Sequence, residues 1–150
     1  AAGGGILPVS FVSGKDKVIG LPTQRSEGST FGGYPLASVV GTYAIKVLVD
    51  NDLANNARIR GAQLMSHYEE LMEEFPDKIK DIRGKGLLTA FEMFNSKRLD
   101  GHKVSIELLK RGVYAKETHR STVRIAPALT VEAYHIDNIA EQIREVIKLL

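Results

Sequence analysis

Cysteine is absent from all 150 residues, which removes disulfides, thiol nucleophiles and cysteine–metal sites from consideration. That suits an intracellular protein. No run approaches the ~18 consecutive apolar residues of a membrane span, and no basic stretch leads into an apolar one as in a secretory signal. A net charge of +2, with both signs interspersed, lacks the one-sided excess of a nucleic-acid surface. The G-x-S-x-G elbow and the G-x-G-x-x-G dinucleotide fingerprint are both missing. His67, His102, His119 and His135 never fall at the i, i+4 spacing of a helical metal site, so no metal is expected. What remains is an ordinary globular composition, 43% hydrophobic and 25% charged, of about one domain's length.

Against that background the stretch Glu27-Gly28-Ser29-Thr30-Phe31-Gly32-Gly33-Tyr34-Pro35 stands out. Its glycines allow sharp turns and close backbone approach to a ligand, and Pro35 suits the first turn of a helix. Leu36, Val39, Val40, Tyr43, Ala44, Val47 and Leu48 come after it at helical spacing, predicting a helix from about Pro35 to Val49. A helix start offers unpaired N–H groups to an anion, and Ser29 and Thr30 add two hydroxyls. Two readings fit, a phosphate-binding loop and a plain turn.

Upstream, Ala1-Ala2-Gly3-Gly4-Gly5 runs directly into Ile6-Leu7-Pro8-Val9-Ser10-Phe11-Val12, which reads as a strand. The abrupt start predicts a piece of a longer polypeptide. Ser13 to Arg25 is polar and turn-rich. Asp50-Asn51-Asp52 makes a break that can also cap a second helix. Leu53, Ala57, Leu64, Tyr68, Leu71 and Phe75 form the apolar stripe of that helix, which Pro76 ends. Arg83-Gly84-Lys85-Gly86 reads as a tight turn before a strand over Leu87–Phe94. It precedes a strand and lacks the full phosphate-loop pattern, so it is taken as structural. A helix through Val104 and Leu108 should close on Gly112 in a left-handed cap. Val113–Lys116 and Val123–Ala126 read as short strands about a turn. Thr130 caps a last helix with the stripe Ile136, Ile139, Ile143, Val146, Ile147 and Leu150. This order predicts an α+β layer, a small sheet with helices packed on it.

Within the strand of Val123 and Ile125, Arg124 faces the opposite side, alongside Ala126. An arginine so placed can clamp a carboxylate with two parallel hydrogen bonds or be a solvated edge-strand residue. His119 reads as a surface turn residue, and Glu69, Glu70, Glu73 and Glu74 as a solvated helix face.

Taken together, Gly3-Gly4-Gly5 with Leu7-Pro8-Val9-Ser10, the loop Gly28-Ser29-Thr30-Phe31-Gly32-Gly33, the turn Arg83-Gly84-Lys85-Gly86-Leu87-Leu88, and Arg124-Ile125-Ala126-Pro127-Ala128-Leu129 resemble the C-terminal part of a class III, pyridoxal-phosphate-dependent aminotransferase. The resemblance covers essentially the whole chain. Through Ala115-Lys116-Glu117-Thr118-His119 it is most similar to the ornithine-transferring branch.

The resemblance implies an α/β fold-type I architecture. Residues 1–52 would end the large cofactor-binding domain, and residues 53–150 would form a small C-terminal α+β domain. Thr30, with Ser29 beside it, matches the residue that holds the phosphate of pyridoxal 5'-phosphate across a homodimer interface. Arg124 matches the arginine that binds the substrate α-carboxylate. The lysine that holds the cofactor covalently is expected just before Ala1, so no catalytic residue is expected in this chain, which alone should be inactive. The reaction implied is transfer of the terminal amino group of ornithine to 2-oxoglutarate. An acetylornithine, 4-aminobutyrate or other ω-amino donor is the alternative, and a non-catalytic dimerisation module is the alternative outside enzymes. Cytoplasm and mitochondrial matrix both fit. Tyr34, where asparagine is usual, and Ala128, in place of a second proline, depart from the family pattern.

Overall fold

A computed structural model describes residues 2–22, 28–94 and 100–150. Glu27, which opens the glycine-rich motif, and the Thr23–Arg25 end of the polar segment lie outside the described residues, as does Ala1. The chain divides into two compact units, Ala1–Asp52 and Leu53–Leu150.

The first unit contains a short helix α1 (Asp16–Ile19) and a long helix α2 (Pro35–Asp50). Gly41 is the one buried residue of α2, and Leu36, Val39, Tyr43 and Val47 are exposed. The strand expected over Ile6–Val12 does not form; turns and irregular backbone occupy that run. An extended segment becomes a strand only through a paired neighbour, and every strand among the described residues belongs to the second unit. Pro8 has no N–H to offer a ladder. The segment instead folds on itself, with the Ala2 N–H donating to the Val9 carbonyl at 3.1 Å and the Ile6 N–H to the Gly3 carbonyl at 3.0 Å.

The second unit comprises α3 (Leu53–Glu74), β1 (Ile79–Lys85), β2 (Leu88–Met93), α4 (Gly101–Lys110), β3 (Lys116–Thr118), β4 (Thr122–Ile125) and α5 (Ala133–Leu149). Its four-stranded sheet runs β1-β2-β4-β3 with every pair antiparallel. The apolar stripes of the helices cover one face. Leu64, Tyr68 and Leu71 of α3 and Ile136, Ile143, Val146 and Ile147 of α5 are buried with Phe91, Met93, Val123 and Ile125 of the sheet. Tyr68 meets Phe91 edge-on, with ring centroids 5.6 Å apart.

Sequence expectation and structure part company in the β segments. Arg83, Gly84 and Lys85 belong to β1, a strand the hydrophobic pattern hides, and the turn is the two-residue Gly86-Leu87. Gly86 takes the positive φ, 56°, that such a hairpin needs at its first central residue. Arg124 lies on β4, an interior strand, which corrects the edge-strand alternative. β3 begins at Lys116 rather than Val113, and the turn is confined to 119–121. Thr130 sits in a turn; the residue at the α5 N-cap is Glu132, which makes no side-chain capping bond.

Other ends agree. The Asp100 carboxylate accepts from the Lys103 N–H at 2.9 Å and caps α4, and Gly112 closes it at φ 82°. α3 and α5 are tied by His67 Nε2 to Asp137 Oδ1 at 2.9 Å and by Arg144 Nε donating to Glu74 at 2.8 Å. Bonds from His67 and then Gln63 pull the Asp137 carboxyl below its usual range.

Candidate functional site

The hydroxyl-bearing loop is a close turn. The Gly32 N–H donates to the Ser29 carbonyl at 3.0 Å and the Tyr34 N–H to the Phe31 carbonyl at 3.2 Å. Gly33 sits at φ 73°, where a side chain is strained, and open space surrounds the positions a Cβ would take at Gly28 and Gly33. Ser29 and Thr30 are exposed, and among the described residues neither side chain has a hydrogen-bond partner. Pro35 then starts α2. Its first intrahelical bond, Ser38 N–H to Tyr34 carbonyl, leaves the preceding N–H groups without intrahelical partners. Tyr34 makes no side-chain cap bond to them. Two free hydroxyls and a helix start with open donors are a donor set that fits a phosphate.

Arg124 lies on the open face of the other unit's sheet. Val123 and Ile125 turn inward with 0% and 1% exposure, and Arg124 turns out, as the alternation requires. A row runs across that face: Arg83 on β1, Ala90 on β2, Arg124 on β4 and Lys116 on β3. Arg83 is committed. It bonds Asp81, Glu92 at 3.0 Å and the Thr122 hydroxyl at 3.3 Å. Glu92 also takes Lys80 at 2.7 Å. These bonds, Lys80 first, hold the Glu92 carboxyl below its usual range, and Asp81 and then Glu92 raise Arg83. Arg124 has no side-chain hydrogen bond or ion pair among the described residues, so its guanidinium fork is available to a carboxylate.

The sequence profile described as Aminotransferase class-III matches residues 1–147. The chain belongs to the class III aminotransferases, and with them to the α/β fold of pyridoxal-phosphate enzymes. A mitochondrial ornithine aminotransferase of Arabidopsis thaliana is 36% identical over 152 residues, covering 99% of this chain and 32% of that protein. Acetylornithine aminotransferase from Elizabethkingia anophelis superposes with a TM-score of 0.90 at 32% identity, over 99% of this chain and 39% of the other. An ornithine aminotransferase structure from Toxoplasma gondii, described as having partial occupancy of PLP at its active site, superposes at 0.88 with 32% identity, over 97% of this chain and 34% of that one. The chain thus spans about a third of the length of the curated relatives it matches.

The structure separates the expected site residues by unit, with Ser29 and Thr30 adjacent on a loop of one and Arg124 on the sheet of the other. His119 is exposed in the β3–β4 turn with φ 53°. Sequence reading attaches no role to Lys116, which pairs directly with Arg124. A signal for it exists: the two cations are placed symmetrically about the 119–121 turn.

Proposed function

We propose that the protein containing these residues transfers the terminal amino group of ornithine, or of a related ω-amino donor, to 2-oxoglutarate. The observation that carries this is Arg124, an uncommitted guanidinium on an open sheet face, in a chain of this family whose relatives include ornithine aminotransferases. Residues 1–52 belong to the large cofactor-binding domain and 53–150 form the small C-terminal one, a division that the two compact units support. Ser29 and Thr30 hold the phosphate of pyridoxal phosphate, reaching it from the neighbouring subunit of a homodimer. The cofactor, when bound, supplies the electron withdrawal that amino-group transfer needs. The covalent lysine is assigned to the position before Ala1, so the work of these residues is binding and orientation. Arg124 holds the α-carboxylate of donor and acceptor in turn, which leaves the donor's far amine directed toward the cofactor. An intracellular compartment, the cytoplasm or a mitochondrial matrix, suits a chain without cysteine that has a mitochondrial relative.

A donor panel with the full-length protein tests the reading. Ornithine is expected among the fastest donors. The Elizabethkingia neighbour favours acetylornithine as the second reading, and higher kcat/KM for acetylornithine with little turnover of ornithine would replace the first by the second. For the phosphate site, Thr30→Ala is expected to weaken cofactor retention by roughly ten- to a hundredfold, the effect of losing a hydrogen bond to a charged group worth about 1.5–3 kcal/mol. With cofactor limiting, dimerisation should weaken alongside. Unchanged cofactor affinity in a titration of the apo-protein excludes this role for Thr30.

A further inference from the structure

Beyond the end of β4 the sheet no longer holds the chain. The ladder to β3 ends at Arg124 and the ladder to β2 at Ile125. Pro127 brings no N–H to the connector that follows. The connector also borders an open groove of about 460 Å³, shared with Gly112, Tyr114 and Asn138, which gives it room to shift on that side. A row of amides on α3 holds it. Asn56 Nδ2 donates to the Leu129 carbonyl at 2.7 Å and to the Val131 carbonyl at 3.0 Å. Gln63 Nε2, two turns further along α3, donates to the Ala133 carbonyl at 3.1 Å. Every second carbonyl from Leu129 to Ala133 is thus taken by an amide of one helix. A carbonyl can only accept, so the Asn56 nitrogen, with its two hydrogens, has to face the pair. Gln63 has other tasks, since it accepts from Arg60 at 2.5 Å and donates to Asp137 at 2.6 Å within the α3–α5 contact. Among the described residues, both side-chain bonds of Asn56 go to the connector.

We propose that Asn56 is a positioning residue for the Arg124 site: its amide fixes the path by which β4 leaves the sheet, and so the direction of the guanidinium. The proposal rests on the reading of Arg124 as the carboxylate clamp. Arg124 is the next-to-last residue of β4, exposed, and among the described residues no side-chain bond steadies it from the side. Its aim therefore follows its backbone. That backbone is held by the ladders up to Ile125 and, past Pro127, by the two bonds of Asn56. A clamp made of two parallel hydrogen bonds tolerates little misdirection, because both must form together. A misplacement of about 1 Å, caused by a change away from the chemistry, is enough to weaken such a site.

Steady-state kinetics of the full-length holoenzyme, with 2-oxoglutarate varied, test this. Asn56→Asp keeps the shape but has no N–H to give the two carbonyls, and Asn56→Ala removes the group. Each is expected to raise KM for 2-oxoglutarate by about three- to tenfold. kcat should stay within about twofold, because the loss falls on binding. Gln63→Ala is the control. It releases the far end of the connector and the bond to Asp137, so it should lower the melting temperature at least as much as Asn56→Ala and leave that KM unchanged. In a double-mutant cycle, Asn56→Ala should add little to Arg124→Lys, which has already removed the fork that Asn56 aims. If Asn56→Asp does not fold, Asn56→Ala decides. A lower melting temperature in Asn56→Ala with KM unchanged makes the residue a part of the fold alone and overturns the proposal. An equal rise in KM on Gln63→Ala, or full additivity in the cycle, overturns it as well. Arg124→Lys separates the two readings. If it leaves KM for 2-oxoglutarate unchanged, the clamp assigned to Arg124 fails; if it raises KM while the Asn56 variants do not, only the role of Asn56 fails.

Discussion

Gly61→Ala should destabilise the second unit by about 1–3 kcal/mol, and Gly61→Leu by more. The sign is the informative part. An alanine is ordinarily worth about 1 kcal/mol more than a glycine inside a helix, so propensity alone predicts stabilisation. At Gly61, however, a Cβ would lie 2.2 Å from the Gly86 carbonyl oxygen and 2.7 Å from the Gly86 Cα. Both are backbone atoms of the hairpin turn and cannot swing aside. To admit a methyl group, α3 and the β1–β2 hairpin must separate, which loosens the packing of Leu64 and Tyr68 against the sheet. Urea unfolding of the full-length protein checks this through its midpoint, provided the slope is unchanged. A midpoint that rises on Gly61→Ala would show that the hairpin yields freely and that the contact is unimportant.

The largest loss of activity is expected at Arg124. Arg124→Lys keeps a positive charge but loses the planar fork, so kcat/KM for 2-oxoglutarate should fall at least about tenfold, or ~1.4 kcal/mol of transition-state binding. Arg124→Ala removes the charge as well. Truncating one member of a hydrogen-bonded charge pair costs about 2–5 kcal/mol, so the fall should be about thirtyfold or greater. Absorbance of the bound cofactor should persist in both variants, because Ser29 and Thr30 are untouched. The fold should also persist, since Arg124 is exposed and its side chain carries no bond that its loss would break. Wild-type rates in both half-reactions for Arg124→Ala would return the residue to an ordinary surface role.

The helices were legible because their signals are local and redundant. Pro35 starts α2, Gly112 ends the α4 segment with the backbone that glycine allows, and the stripe from Ile136 to Ile147 repeats at the helical period. β1 was not. Its register shifts between Ile79 and Asp81, which breaks the alternation that marks a strand, and its position at the sheet edge lets most of its side chains be polar. The β3–β4 hairpin was misplaced by a few residues because its turn contains no glycine. His119 and Arg120 adopt positive φ, 53° and 64°, against their usual preference. Site residues divide on the same line. The outward direction of Arg124 follows from its two inward neighbours in sequence, whereas the pairing with Lys116 depends on where the turn falls, and that is settled by packing across the sheet.

Beneath Arg124, the Tyr68 hydroxyl lies 3.2 Å from the Thr89 hydroxyl, which donates to the Ile125 carbonyl at 3.1 Å. Burial raises the Tyr68 pKa far above the ordinary phenol range, so at any pH the fold meets the phenol keeps its proton. Thr89 spends its one hydrogen on Ile125, which leaves its oxygen to accept from Tyr68. The chain of bonds therefore has a single direction, from α3 through β2 into β4, and its links are unequal. Phenylalanine at position 68 deletes a first donor and leaves Thr89 still bonded to Ile125. Valine at position 89 strands the phenol in the core and also removes a side-chain bond to the strand that carries Arg124, leaving the Arg83–Thr122 bond as the remaining side-chain bond across the sheet that opposes a slip by a residue. Such a slip would turn the guanidinium into the hydrophobic layer. A threonine methyl and hydroxyl on the inner face thus act as the index mark for the charge on the outer one.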